Sequence, residues 1–238
     1  MLASLGLVAL GLSAGARADD SRPYAVPPPA APGTTALAAD ENLQVDEALF
    51  SVRNFNWTDA SRGRSVPARL YLPAQAAGSA STPLVVFSHG IGGSRDGYSY
   101  LGRYFAANGY ASLHVQHVGS DRQVWFGNPL LLASRLAIAA QEGEALSRVQ
   151  DIRFALDQLL AGPDGTVVDT RRIAAAGHSY GANTAMLIAG ARIDGQGPGQ
   201  SLRDPRISSA ILLSAPPFYG FGNPARILAG IDMPTLHV

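Results

Sequence analysis

The chain has 238 residues, 47% apolar and 15% charged, enough apolar matter for one sizeable core and too much for global disorder. Eighteen basic side chains, all arginine, balance eighteen acidic ones, which excludes a basic stripe for nucleic acid and an acidic tail for a cationic partner. With neither cysteine nor lysine, disulfides, thiolate nucleophiles, Cys-ligated metal sites, Schiff-base chemistry and a Ser–Lys dyad are excluded too.

The apolar run from Leu2 to Leu12 is too short to span a bilayer. Ala16-Arg17-Ala18 follows in a small-x-small pattern, then Asp19 and Asp20. Residues 1–18 are therefore expected to be a signal peptide, and the product to be secreted or periplasmic with no stable membrane anchor. A buried N-terminal helix is the competing reading. Residues 19–44 are rich in Pro and Ala without an apolar period, as in a linker. The remaining stretch, 45–238, carries the periodic elements of a folded domain.

Ala48 to Phe55 and Val66 to Leu72 read as two strands joined by the turn-prone SRGRS. The continuous apolar run TPLVVFS, Thr82 to Ser88, suits a strand buried on both faces. Tyr98 to Asn108 reads as a helix stopped at Gly109, and Ala111 to Val118 as another strand. Helices are expected over Ala133 to Ala140 and Glu144 to Leu160; in the second, Val149, Ile152, Phe154, Ala155, Leu156, Leu159 and Leu160 form a stripe at helical spacing. Arg172 to Ala176 is a strand, Ala182 to Gly190 a helix, Ser208 to Ser214 a strand, and Pro234 to Val238 the start of one more. Strands alternating with helices imply a mostly parallel α/β sheet with helices on both faces, entered through an antiparallel hairpin.

Two motifs carry chemistry. Gly177-His178-Ser179-Tyr180-Gly181 joins a strand to a helix, the context in which G-x-S-x-G holds a nucleophilic serine in a strained turn. The competing reading is a structural turn in a non-catalytic relative. The second motif, FSHGIGG, follows the buried strand, and Gly90, Gly92 and Gly93 let the backbone come close to a bound acyl group.

Together these motifs, the feeding strand VPARLYLP and the run HVQHVGSDRQVW resemble the α/β-hydrolase superfamily, especially its dienelactone-hydrolase-like and platelet-activating-factor-acetylhydrolase-like serine esterases. The resemblance covers roughly residues 45–238. It implies that Ser179 is the nucleophile and that the N–H groups of Ile91 and Tyr180 form the oxyanion hole. No metal or organic cofactor is required. The partner is a small-molecule ester, cleaved through an acyl-enzyme. A polyester hydrolase, lipase or amidase with the same machinery is the alternative, as is a non-catalytic binding protein on the hydrolase fold.

Five histidines compete for the role of base. His178 lies inside the elbow and is expected to pack. His89 is expected to prop the oxyanion loop by hydrogen bonding. His114 and His117, three apart on a strand, point to opposite faces, which argues against a shared metal site. His117, near the strand's C-terminal end, is a candidate for the substrate side. His237 sits in a strand, buried or paired. Trp125, with Phe126, is a candidate wall of the substrate pocket, with core packing as the other reading. Asp204 and Asp232 precede strands and so lie at the wrong ends of them for the acid. The superfamily's order is Ser, then acid, then His, so the triad Asp and His are expected beyond Val238. The sheet is correspondingly expected to lack its last strand and helix, and this chain alone to turn over little.

Overall fold

Seven strands and five α-helices succeed one another along the described residues: β1 (Phe50–Asp59), β2 (Arg64–Pro73), β3 (Thr82–Ser88), α1 (Ser99–Ala107), β4 (Ala111–Val115), α2 (Leu132–Ala139), α3 (Glu142–Ala161), β5 (Val168–His178), α4 (Tyr180–Ala189), β6 (Ile207–Leu213), α5 (Pro224–Leu228) and β7 (Thr235–His237). The computed structural model describes residues 46–74, 81–193, 201–216 and 223–238. The leader and linker read into residues 1–44 lie outside them.

The sheet order is β1-β2-β4-β3-β5-β6-β7. β1 and β2 form the expected hairpin, β2 joins β4 antiparallel, and every later pairing is parallel. β3 lies centrally because its residues are apolar on both faces. Leu84 and Val86 join the large core cluster with α3 and α4, while Val85 and Phe87 face Tyr98, Leu101 and Phe105 of the α1 region. The stripe on α3 is real: Val149, Ile152, Ala155, Leu156 and Leu159 are buried, each large one stabilising by roughly 1.5–3 kcal/mol.

The differences from expectation have local causes. β4 ends at Val115 rather than Val118, because the His117 N–H leaves the ladder and bonds His89 Nε2 at 3.0 Å. β5 starts four residues early, with Val168 opposite Thr82 and with Asp169 gathering Arg171 and Arg172. α5 was not anticipated, although Asn223-Pro224 is a helix start: the Asn223 side chain accepts from Ala225 N, and proline stands at the first helical position.

Candidate active site

Ser179 occupies the one residue between the end of β5 and the start of α4. Its backbone has φ 53° and ψ −123°, a conformation that costs on the order of 1–3 kcal/mol and persists only where the surroundings enforce it. They do so by hydrogen bonds on both sides: Ser179 N–H donates to Leu213 O at 2.9 Å, and Ser179 O accepts from Ala182 N–H at 2.8 Å. The flanking glycines are required by contact. A Cβ on Gly177 would stand 2.1 Å from Gly181 O, and one on Gly181 would stand 1.9 Å from Ser88 O. The hydroxyl-bearing residue is half-buried, at the C-terminal edge of the sheet.

The loop after β3 comes up against it. A Cβ on Gly90 would lie 3.4 Å from Ser179 Cβ, which places Gly90-Ile91 beside the nucleophile. Gly92 N–H donates to Ser120 O at 2.8 Å and Gly93 N–H to Gly90 O at 3.1 Å, while no backbone bond among the described residues takes up the Ile91 N–H. Tyr180, the other expected donor, is the first residue of α4, so its N–H belongs to the positive end of that helix. Trp125 closes the loop from outside. Its Nε1–H donates to Gly92 O at 2.9 Å, and Gly92, at φ +77°, leaves room for the indole that a Cβ would strike at 2.2 Å.

Beneath this surface lies a polar network that the sequence reading did not find. Ser88, at the end of β3, is fully buried and sits opposite Gly177 in the sheet. Its Oγ lies 3.0 Å from His117 Nε2, and His117 Nδ1 lies 3.0 Å from Asp151 Oδ2. Arg148 Nη2 donates to Ser88 Oγ at 3.0 Å, so the serine proton points to His117, and the His117 Nδ1–H points to the carboxylate. Asp151 is closed off from water and receives Arg62 at 2.9 Å and Arg64 at 2.9 and 3.0 Å, both brought in by the β1–β2 turn. Burial raises the Asp151 carboxyl, but the His117 bond and Arg64 outweigh it and leave the group below its usual range. Burial, with Arg148 nearby, pushes His117 down to about 4, so the ring is neutral.

The other histidines have fixed duties. Burial, then Arg148, holds His89 well below its usual range. Its ring accepts from His117 N–H and its Nδ1 meets Gly90 O at 2.7 Å, so it does brace the loop. His114 is pushed down to about 4, chiefly by burial, and lies against Phe87 and Tyr71 with Nε2 3.1 Å from Ser112 Oγ. His178 Nδ1 meets Tyr98 Oη at 2.6 Å. His237 is exposed on β7, with Nε2 3.2 Å from Thr235 Oγ1. None of the five bonds Ser179 among the described residues. Asp204 is held by Arg206 and Asp232 by Arg203, both away from the nucleophile.

The structure therefore brings Ser179, Gly90-Ile91, Tyr180 and Trp125 to one place. His117, expected on the substrate side, is instead 0% exposed with both ring nitrogens engaged, because the chain turns inward as it leaves β4. Trp125 is 52% exposed and Phe126 65%, which corrects the reading of core packing. Among the described residues no group of three or more side chains gathers to hold a metal ion. Arg148 and Asp151 had one sequence signal: they fall on the face of α3 that carries Ala145, Val149 and Ile152, where a charge needs a partner.

Comparison with known proteins agrees with this fold. The profile of the family "Platelet-activating factor acetylhydrolase, isoform II" matches residues 61–124, from the first hairpin turn to the loop bearing Trp125. No curated protein sequence matches. Among solved structures, a ferulic acid esterase from Streptomyces cinnamoneus superimposes with a TM-score of 0.55 at 22% identity, over 80% of this chain and 65% of that one. A Klebsiella pneumoniae protein provisionally named a dienelactone hydrolase superimposes with a TM-score of 0.56 at 16% identity, over 79% of this chain and 72% of its own. The chain thus spans just under two thirds of the length of the esterase.

Proposed function

We propose that this chain, which has the α/β-hydrolase fold, is a serine ester hydrolase acting through an acyl-enzyme on small or lipid-like esters. Ser179 Oγ attacks the ester carbonyl, the C–O bond to the alcohol breaks, and water later releases the acid. The N–H groups of Ile91 and Tyr180 take the oxyanion, each worth roughly 3 kcal/mol in the transition state. Trp125 and Phe126 line the apolar side of the substrate. The observation that carries this reading is the strained backbone of Ser179 on its strand-to-helix turn, held against the Gly90-Ile91 loop.

Proton transfer is the part these residues do not supply, since all five histidines are engaged elsewhere. The second reading is a binding protein on the hydrolase fold. Removing the base of a triad costs on the order of 10⁶ in kcat in a serine protease, so slow turnover is expected. The discriminating experiment is cleavage of p-nitrophenyl acetate with and without added imidazole, comparing the native chain with Ser179→Ala. Slow cleavage that imidazole accelerates and that Ser179→Ala removes supports the hydrolase. Identical rates for the two proteins leave the binding reading standing. Export, suggested by residues 1–18, belongs to the proposal and is tested by fractionating cells that express the full chain.

A further inference from the structure

Among the described residues the largest fully buried side chain is an arginine, and its contacts converge on the two halves of the oxyanion hole. Arg148 projects from α3. Its Nη2 donates to Ser88 Oγ and to the His89 carbonyl, immediately before Gly90-Ile91. Its Nη1 donates to Ser120 Oγ at 2.8 Å, and Ser120 O is the group that receives the Gly92 N–H. On the other side, Nε donates to Thr184 Oγ1 at 2.9 Å, and that hydroxyl donates to Tyr180 O at 3.2 Å. The guanidinium carbon stands 4.6 Å over the Tyr180 ring. One planar fork thus grips the loop that carries the Ile91 N–H and the residue that supplies the Tyr180 N–H.

We propose that Arg148 is the positioning residue of the oxyanion hole, a clamp that fixes the spacing between the Ile91 and Tyr180 N–H groups. The proposal rests on the ester-hydrolase reading for its catalytic consequence, but not for the clamp itself. The chemistry suits arginine and no other side chain. A guanidinium presents its N–H groups in a rigid plane, so bonds to Ser88, His89, Ser120 and Thr184 are fixed together, whereas an ammonium is a point charge that can satisfy only some of them. Spacing matters because oxyanion donors act only when aimed at where the negative oxygen will stand, and a displacement of about 1 Å can cost roughly 10²-fold in rate. Arg148 does not touch the substrate; it acts through the backbone it holds.

The test uses the full chain and two readouts. The first is amide hydrogen exchange of segments 88–93 and 179–184, followed by mass spectrometry. The second is the kcat and KM of imidazole-assisted, Ser179-dependent cleavage of p-nitrophenyl acetate. Arg148→Lys keeps the charge and is expected to speed exchange in both segments together. It should also lower kcat by about 10–100-fold while leaving KM within about 3-fold. Thr184→Val cuts the α4 arm alone and should loosen 179–184 while 88–93 stays protected; Ser120→Ala should do the reverse. These two also serve if Arg148→Lys does not fold. Exchange that changes in only one segment of folded Arg148→Lys, or a loss that falls on KM alone, overturns the proposal. So do single-arm variants that leave both segments as they were. If the native chain shows no Ser179-dependent cleavage, the ester-hydrolase reading fails and exchange alone decides the clamp.

Discussion

Ser88 ends β3 and Ser179 follows the adjacent β5, two residues beyond Gly177, the sheet partner of Ser88, and each has what the other lacks. Ser88 has an imidazole and a carboxylate in line, at 3.0 Å and 3.0 Å, the arrangement of a Ser-His-Asp triad. It is also fully buried, and its oxygen already accepts from Arg148. Ser179 has the strained turn, the adjacent backbone donors and a half-open side, but bonds no imidazole among the described residues. A hydrogen-bonded chain of the right residue types is therefore not a site. Access and a place for developing negative charge distinguish catalysis from buried polar packing.

If the Ser88 network is structural, removing its parts should show in stability. The largest effect is expected from Asp151→Ala, which leaves buried His117 without an acceptor and deprives Arg62 and Arg64 of their shared carboxylate. Breaking a buried pair from one side costs about 3–5 kcal/mol. Urea unfolding should place Asp151→Ala in that range, with Asp151→Asn less affected because its shape is kept. A loss below about 1 kcal/mol would mean that the network does not hold the fold.

Acid should act next. His114 and His117 are held neutral down to about pH 4, whereas in the unfolded chain they protonate near 6.5. Between those values the unfolded state binds more protons, so stability falls as pH falls, by up to roughly 1.4 kcal/mol per pH unit for each histidine. His89, also lowered, adds to the slope. Glu144, raised chiefly by burial, opposes it. The net expectation is a loss of about 2 kcal/mol between pH 6 and pH 5, read from urea midpoints at the two pH values. A flat profile would show that these histidines are not buried neutral.

The comparison also explains what could be read from the sequence. The elbow at Ser179, the FSHGIGG loop and the strand–helix alternation are local, fixed by glycines, apolar runs and spacing within a few residues. The Ser88 network is not local. Ser88, His117, Arg148 and Asp151 are separated by 29 to 60 residues across the bonds that join them, and Arg62 and Arg64 arrive from the first hairpin turn, 87 to 89 residues away from Asp151. SRGRS was legible as a turn, yet nothing within it says that its arginines neutralise a buried acid. His117 was misplaced for the same reason. Its position near the end of a strand was right, but the inward turn after Val115 depends on His89, an unpredictable long-range partner.

The smallest effect bears most directly on the contrast between the two serines. Ser88→Ala removes one hydroxyl that accepts from Arg148 and donates to His117, leaving a donor and an acceptor unsatisfied in a site with no access to water. Such a deletion costs about 1–3 kcal/mol, less than Asp151→Ala because no charge loses its counter-ion. Stability alone cannot separate a structural serine from a cryptic nucleophile, so the acyl group itself must be located. Acyl-enzyme formed from p-nitrophenyl acetate and trapped at low pH should map to the Ser179 peptide in the native chain and in folded Ser88→Ala alike. Acyl transfer to Ser88, or its persistence in Ser179→Ala, would reverse the assignment. The elbow would then be the structural turn and the buried triad the reactive one, which would require the sheet to open at β3.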